Sequence, residues 1–293
     1  AVTGDNWERI WKQRLANSTP WSLRFLEHQT NDAYWQAGSV RPDYARIKCP
    51  VFIVGGWSDW YPSAALRLFG ELDVPKRVLI GPWSHAWPEN ALPLPRVDAR
   101  SEYLDWFGRY LGTEENQPAS KPPITLFVQQ YSEPEATYQS QPGFWRYETE
   151  WPIARTRYTP MYLGDQGSLD DKLTSSQETD SYRYRTSVGV ASGLQGTVPA
   201  IDQRQDDAYS LTYTSSPLPG AMEVTGTPVA NLFVSSSADV AYFHVRISDI
   251  APDGTSRLIS DAGLNATHRQ SHSNPEPLQP GKVYELQFDL KSI

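Results

Sequence analysis

Residues 49–88 read CPVFIVGGWSDWYPSAALRLFGELDVPKRVLIGPWSHAWP, and the fold that we predict starts from this stretch. Two short apolar runs, residues 51–54 and 77–80, each end at glycine and are typical of buried parallel strands. Between them, residues 62–72 place apolar side chains near helical spacing. We therefore predict a strand–helix–strand unit of an α/β sheet.

One ionisable residue follows each predicted strand: Asp59 follows the first and His85 the second. Sites in open α/β sheets are built at the carboxyl ends of the strands, so we expect the two side chains to meet there. An acid and a histidine presented in this way look like two members of a catalytic triad. The non-catalytic alternatives are a helix-capping role for Asp59 and a surface position for His85.

The composition is that of a globular chain with many turns. Its 293 residues suffice for one large domain or two ordinary ones, and 24 Pro and 19 Gly favour short strands over long helices. A net charge of −8 argues against nucleic acid as a partner. No apolar run reaches about 18 residues, so we predict no membrane span.

Cysteine and histidine are placed in ways that predict neither a metal site nor a cofactor. Cys49 is the only cysteine, which excludes an internal disulfide and any Cys-based metal site. We expect it to be a small buried hydrophobe rather than a reactive thiol. His244, His268 and His272 lack metal-ligand spacing supported by carboxylates.

The rest of the chain changes from helical to strand periodicity. Residues 1–36 are rich in Trp at helical spacing, and we expect these aromatic side chains mainly to pack between helices, with a cap over a site as the alternative. Residues 98–111 predict an amphipathic helix and residues 113–123 a linker. Strands are predicted at 124–128, 159–163, 209–213, 229–234, 241–247 and 283–290, with 165–208 as a surface loop. Such a series of short strands is typical of a β-sandwich or jelly roll.

The motifs resemble a known family. Residues 55–60, GGWSDW, and 81–85, GPWSH, resemble the triad Asp and triad His motifs of the CocE/NonD family of cocaine esterase-like serine hydrolases, which is related to X-Pro dipeptidyl-peptidases and α-amino acid ester hydrolases. Short segments resembling the family's C-terminal domain follow in order at 150–153, 162–164, 202–204, 213–215, 223–226, 234–237 and 249–257.

The resemblance implies an α/β plus all-β fold. Residues 1–40 resemble the end of a helical cap, and residues 41–116 the C-terminal part of an α/β-hydrolase domain. Residues 117–293 resemble a truncated jelly-roll β-sandwich of the kind found at the C-terminus of X-Pro dipeptidyl-peptidase.

The resemblance also implies roles for the pair. His85 would act as general base and Asp59 would hold its tautomer, which favours catalysis over the non-catalytic alternatives. The family's serine lies on a G-x-S-x-G elbow, and none occurs in this sequence; residues 189–193, GVASG, have the wrong spacing. We therefore expect the nucleophile and the oxyanion residues to lie in a missing N-terminal segment, both ends to be cuts through a longer protein, and this fragment alone to be inactive.

Four tryptophans surround the pair in sequence. Trp57, Trp60, Trp83 and Trp87 are candidate substrate-binding residues, although core packing is the more frequent role for each. We expect the substrate to be a small ester, an amide or a short peptide. The alternative function is a non-catalytic module whose jelly roll recognises carbohydrate or a protein partner. The sequence leaves the compartment open, with the cytoplasm favoured. It also leaves the oligomeric state open, and a homo-oligomer is one alternative.

Overall fold

The computed structural model describes residues 4–112, 121–173, 179–193 and 199–293. Most of the linker predicted at 113–123 lies outside these residues. The described chain comprises a helical segment, an α/β part and a β part, which follow one another along the sequence.

Three short helices come first: α1 (Trp7–Asn17), α2 (Trp21–Glu27) and α3 (Ala33–Ala37). None of their residues is buried, and the Trp21 side chain is 73% exposed. The helical periodicity is confirmed. The expected packing between helices is wrong for most of these aromatic side chains, because α1 and α2 present their apolar stripes to solvent.

A four-stranded sheet with the order β1-β2-β3-β4 forms the α/β part. Its strands are β1 (Val51–Gly56), β2 (Lys76–Gly81), β3 (Ile124–Gln129) and β4 (Gly143–Glu148). Both β1 and β3 run parallel to β2, whereas β4 is antiparallel to β3. The predicted strand pair is therefore confirmed. Strand β3, which lies beyond the border predicted at residue 116, pairs with β2 in the same sheet.

Helix α4 (Pro62–Glu71) is the crossover between β1 and β2. Its first residue is a proline, which suits the first turn because the missing N–H has no helical partner there. Leu66 and Phe69 are buried against one face of the sheet. The strand residues on that face are Ile53, Val78, Ile80, Ile124 and Leu126.

Helix α5 (Ala99–Leu111) covers the opposite face. It begins after Asp98, whose carboxylate accepts a hydrogen bond from the Arg100 backbone N–H. The Trp106 ring lies 5.7 Å from that of Phe52, which points away from α4 because side chains alternate along β1. The helix predicted at 98–111 is thus confirmed, and the α/β part has three layers.

The β part consists of antiparallel pairs of strands. A short pair joins β5 (Tyr162–Leu163) to β6 (Leu169–Asp170), and helix α6 (Arg204–Asp207) follows. Three longer strands come next: β7 (Val229–Val234), β8 (Tyr242–Ile250) and β9 (Ser256–Asn265). Strand β8 pairs with β9, and β7 pairs with the last strand, β10 (Tyr284–Asp289). The core between the two longer pairs includes Ala266, Leu278, Leu286, Phe288 and Leu290.

Three predictions about local structure are wrong. Cys49 is exposed, because it lies just before β1 at the edge of the described sheet. Residues 209–213 form turn and coil rather than a strand. Residues 165–208 are not only surface loop, since Gln203 is fully buried and its amide donates to the carbonyl oxygens of Ala191 and Ile201.

Candidate active site

The structure brings Asp59 and His85 together at the carboxyl ends of β1 and β2. These strands are adjacent and parallel, with Gly56 opposite Gly81 in the register. His85 Nδ1 lies 3.0 Å from Asp59 Oδ1 and 3.1 Å from Oδ2. The Asp59 side chain is 16% exposed and that of His85 is 57% exposed. The carboxylate is therefore largely enclosed, while the imidazole faces open space.

Backbone hydrogen bonds fasten the two loops to each other. The N–H of Trp57 donates to the Gly81 carbonyl (2.9 Å), and the N–H of Ser58 donates to the Trp83 carbonyl (3.0 Å). The Ser58 hydroxyl donates to the Pro82 carbonyl (2.9 Å). Because these bonds join the loops just before Asp59 and His85, they determine the distance between the backbone positions of the two residues.

Two glycines allow this close approach. A Cβ on Gly56 would lie 2.1 Å from the Trp83 carbonyl oxygen, and one on Gly81 would lie 2.4 Å from the Trp83 ring. Any larger residue would force the loops apart, so the glycines of GGWSDW and GPWSH have a steric role.

The hydrogen bonds define the chemistry of the pair. An ionised carboxylate only accepts hydrogen bonds, so the contact favours the His85 tautomer with the proton on Nδ1, which leaves the lone pair of Nε2 on the opposite side of the ring. The backbone N–H of Trp60 donates a second bond, of 2.5 Å, to Asp59 Oδ1. An imidazole held in this tautomer can accept a proton at Nε2 and return it, as a general base and acid do.

Two aromatic rings flank the imidazole. The Trp60 ring stacks on it at 5.4 Å between centroids, with 26° between the planes. The Tyr61 ring meets it edge-on at 6.4 Å. The sequence reasoning did not single out Tyr61, and only its position two residues after Asp59 could have indicated it.

Two of the four candidate substrate-binding tryptophans lie in packing positions. Trp83 is 1% exposed, and its indole N–H donates to the Pro95 carbonyl (2.8 Å). Trp57 packs against the core beside α4, and its indole N–H donates to the Phe127 carbonyl (2.7 Å). Both indole rings pack beneath the pair, and their N–H groups are engaged by backbone carbonyls.

The fourth, Trp87, is 71% exposed and lies two residues beyond His85. It borders an open cleft of about 590 Å³ between the loop after β2 and the start of α5. The other lining residues are Glu89, Asn90, Arg100 and Tyr103. Neither Asp59 nor His85 lines this cleft.

Two serines that could be considered as nucleophiles, Ser58 beside Asp59 and Ser192 in the GVASG segment, have other partners. Ser192, within the GVASG segment, donates to Gln203 Oε1 (3.1 Å) and accepts a hydrogen bond from Arg246 (3.3 Å). The Ser58 hydroxyl donates to the Pro82 carbonyl. Neither hydroxyl is hydrogen-bonded to His85.

Within the described parts of the chain, no group of three or more His, Cys, Asp or Glu side chains is arranged to hold a metal ion. In the same ranges, no helix combines the length and the apolar character that crossing a membrane requires.

Comparison with known proteins places both parts of the chain. Residues 116–293 match the family described as the X-Pro dipeptidyl-peptidase C-terminal non-catalytic domain, and residues 4–87 match the X-Pro dipeptidyl-peptidase (S15 family). Cocaine esterase from Rhodococcus sp. (strain MB1 Bresler) is 31% identical over 309 residues, an alignment that covers 94% of this chain and 51% of the esterase. The chain belongs to the CocE/NonD family of serine hydrolases.

Solved structures agree with this membership at the level of the fold. An α-amino acid ester hydrolase superimposes with a TM-score of 0.71 at 21% identity, covering 96% of this chain and 52% of the hydrolase. An aminopeptidase from a marine sediment Thaumarchaeota archaeon gives a TM-score of 0.70 at 20% identity, covering 97% of this chain and 51% of the aminopeptidase. The predicted fold class, part of an α/β-hydrolase domain followed by a β domain, is confirmed.

This CocE/NonD chain spans about half the length of the relatives that it matches. These proteins are named as an esterase, an aminopeptidase and an α-amino acid ester hydrolase. These comparisons do not favour the alternative of a non-catalytic binding module.

Proposed function

We propose that this chain supplies the orienting acid and the general base of a serine hydrolase. The observation that carries the proposal is the contact of His85 Nδ1 with both oxygens of Asp59, at 3.0 and 3.1 Å. In this role Nε2 of His85 takes the proton of a serine hydroxyl as it attacks the substrate carbonyl. It then gives the proton to the leaving group.

Asp59 orients the imidazole of His85 throughout this cycle. Its carboxylate accepts the Nδ1 proton, holds the productive tautomer and stabilises the imidazolium that forms when Nε2 is protonated. The second hydrogen bond, from the Trp60 N–H, keeps the carboxylate from rotating away. The substrate class that we propose is an acyl ester, an aminoacyl ester or amide, or an X-Pro peptide, in line with the names of the relatives.

We further propose that the nucleophile and the oxyanion donors come from residues that this chain does not contain. The sequence has no G-x-S-x-G elbow, and the chain spans about half of its relatives. The hydroxyls of Ser58 and Ser192 are bonded away from His85. The domain division at residues 40 and 116 belongs to the same proposal, with the cap and hydrolase parts completed by the absent residues.

A fluorophosphonate probe tests this division, because it labels only a serine activated by its neighbours. The purified 293-residue chain is expected to remain unlabelled. The protein translated from the complete reading frame is expected to be labelled at a single serine outside these residues, as located by peptide mass spectrometry. Labelling of any serine within the 293 residues would show that the proposed division is wrong.

A further inference from the structure

The imidazole of His85 has one strong polar anchor and two aromatic neighbours. Its Nδ1 edge bonds Asp59, one face lies on Trp60, and the ring edge of Tyr61 approaches from the side. The side chain is nevertheless 57% exposed. A hydrogen bond along one edge leaves the ring free to rock about that bond, so a contact on the face has a separate effect on its orientation.

Trp60 is itself held in place at two points. Its backbone N–H donates to Asp59 Oδ1, the oxygen that His85 Nδ1 also approaches. Its indole meets the Tyr61 ring edge-on at 6.0 Å, with 83° between the planes. The residue on which the imidazole rests is thus joined through its own backbone N–H to the carboxylate that binds His85, although its indole is 40% exposed.

The stacked arrangement leaves the reactive nitrogen available. A contact through the face of the ring occupies neither nitrogen, and Nε2 lies at the end of the ring opposite Nδ1. An exposed side chain also loses rotamer entropy when its position is fixed. The net free energy of a single hydrogen bond offsets this loss only in part. A stacked ring pair contributes about 0.5–1.5 kcal/mol beyond the area that it buries, which corresponds to about a two- to tenfold change in an equilibrium.

From this geometry we infer that Trp60 is a positioning residue for His85: its indole face holds the imidazole against Asp59 with Nε2 directed outward. The inference rests on the proposed function, in which His85 needs its proton on Nδ1 so that Nε2 can act as the general base. It assigns Trp60 a role in the free protein, whereas the substrate-binding role predicted from the sequence needs a bound ligand. The two roles therefore differ in whether the free chain responds to a change at residue 60.

The experiment measures the tautomer of His85 in the chain itself. The 293-residue chain is labelled with ¹⁵N-histidine, and long-range ¹H–¹⁵N spectra at alkaline pH distinguish protonation at Nδ1 from protonation at Nε2. The chain has five histidines, and the His85→Gln variant assigns the signal of His85. The variants compared are Trp60→Ala, Trp60→Phe, Trp87→Ala and Asp59→Asn.

In the unmodified chain we expect His85 to be protonated at Nδ1. Trp60→Ala is expected to lower the ratio of Nδ1–H to Nε2–H by about two- to tenfold, and Trp60→Phe is expected to restore most of it because a flat ring returns. Trp87→Ala changes an exposed tryptophan two residues from His85 and is expected to leave the ratio unchanged. Unaltered signals from the other four histidines show that each variant is folded.

Two outcomes would overturn the inference: an unchanged ratio in Trp60→Ala, or an equal loss in Trp60→Phe. The Asp59→Asn variant distinguishes a failure of the inference about Trp60 from a failure of the proposed function. If its His85 tautomer is unchanged, Asp59 does not orient the imidazole and the proposed pair fails, whatever residue 60 does. If Asp59→Asn shifts the tautomer and Trp60→Ala does not, only the role of Trp60 is lost.

Discussion

Gly56 and Gly81 have no side chain where the two loops of the site meet, and this permits the contact between Asp59 and His85. A Cβ at either position would overlap Trp83, at 2.1 and 2.4 Å. Trp83 cannot yield easily, because it is 1% exposed and its indole N–H is bonded to the Pro95 carbonyl. The spacing of the pair therefore depends on backbone approach as much as on the pair itself.

Gly56→Ala is accordingly expected to destabilise the chain by about 1–3 kcal/mol, as overpacking in a core does. The added methyl group meets a backbone carbonyl oxygen, which has little room to move. The measurement is the urea midpoint of unfolding.

Gly108→Ala is the matched control. It lies within α5 with no atom within 4 Å of the added Cβ, and it is expected to stabilise the chain by up to about 1 kcal/mol. An equal loss of stability in both variants would contradict the steric role of Gly56.

At the scale of elements, the sequence predicted the strands whose own apolar side chains form the core, as continuous runs in β1 and β2 and in alternation in β7 and β10. Strands β1, β2, β7 and β10 lie where the pattern placed them because their own side chains form the core. Strand β9 was missed. Its buried residues include Ser256, Arg257, Ser260 and Asp261, whose polar groups are satisfied by partners distant in sequence. A local pattern cannot show such partners.

The strand predicted at 209–213 failed for a related reason. The alternation of YSLTY is typical of a strand, but the N–H groups of Tyr209 and Ser210 donate to the carbonyls of Asp206 and Asp207 and extend the turn after α6.

The site was predictable in part. Asp59 and His85 could be found from their places after two strands, whereas Tyr61 and the bonds between the loops depend on tertiary geometry.

Strand β9 is joined to the end of the chain by Asp261. Its carboxylate bonds His244 Nε2 at 3.0 Å and Lys291 Nζ at 2.7 Å, and its side chain is only 12% exposed. Burial by itself raises the pKa of Asp261, but the hydrogen bonds from His244 and Lys291 and the positive charge of Lys291 together lower it to about 2. This contribution to stability is present above the unfolded pKa of about 3.9 and is lost as the pH falls toward 2.

We therefore expect Asp261 to contribute about 2 kcal/mol at neutral pH that disappears between about pH 4 and pH 2. The measurement is the free energy of unfolding in urea at pH 6 and at pH 2.5 for the unmodified chain, Asp261→Asn and Lys291→Met. Both variants are expected to show a smaller difference between the two pH values. A pH dependence in Asp261→Asn equal to that of the unmodified chain would rule out this contribution.

At the scale of the whole molecule, polar contacts join the α/β and β parts. The Arg257 guanidinium of β9 donates to the Ser132 carbonyl at 2.7 Å and to Gln141 Oε1 at 2.9 Å, both between β3 and β4. At the end of the chain, the backbone N–H of Ser292 donates to the Ser63 hydroxyl in α4 at 2.8 Å. The β part is thus bound to the helix that follows Asp59.

Arg257→Ala is expected to destabilise the chain by about 2–4 kcal/mol, because it leaves the buried Gln141 side chain and the Ser132 carbonyl without this donor. Lys at this position is expected to restore little, since it lacks the forked geometry that reaches both acceptors. The midpoint of urea unfolding measures the change.

Arg100→Ala serves as the comparison for Arg257. This guanidinium is exposed and bonded to Asp98, so its loss is expected to cost less than about 1 kcal/mol. Arg257→Ala with a loss no larger than that of Arg100→Ala would show that the contact between the two parts adds little.

The most direct test of the central claim is the hydrolysis of p-nitrophenyl esters by the protein translated from the complete reading frame. His85→Ala is compared with His272→Ala, which changes an exposed histidine in the β part. If His85 is the general base, its loss lowers kcat/KM by at least about a thousandfold, while His272→Ala leaves it within a factor of two. A His85→Ala enzyme that retains the activity of the unmodified protein would contradict the account.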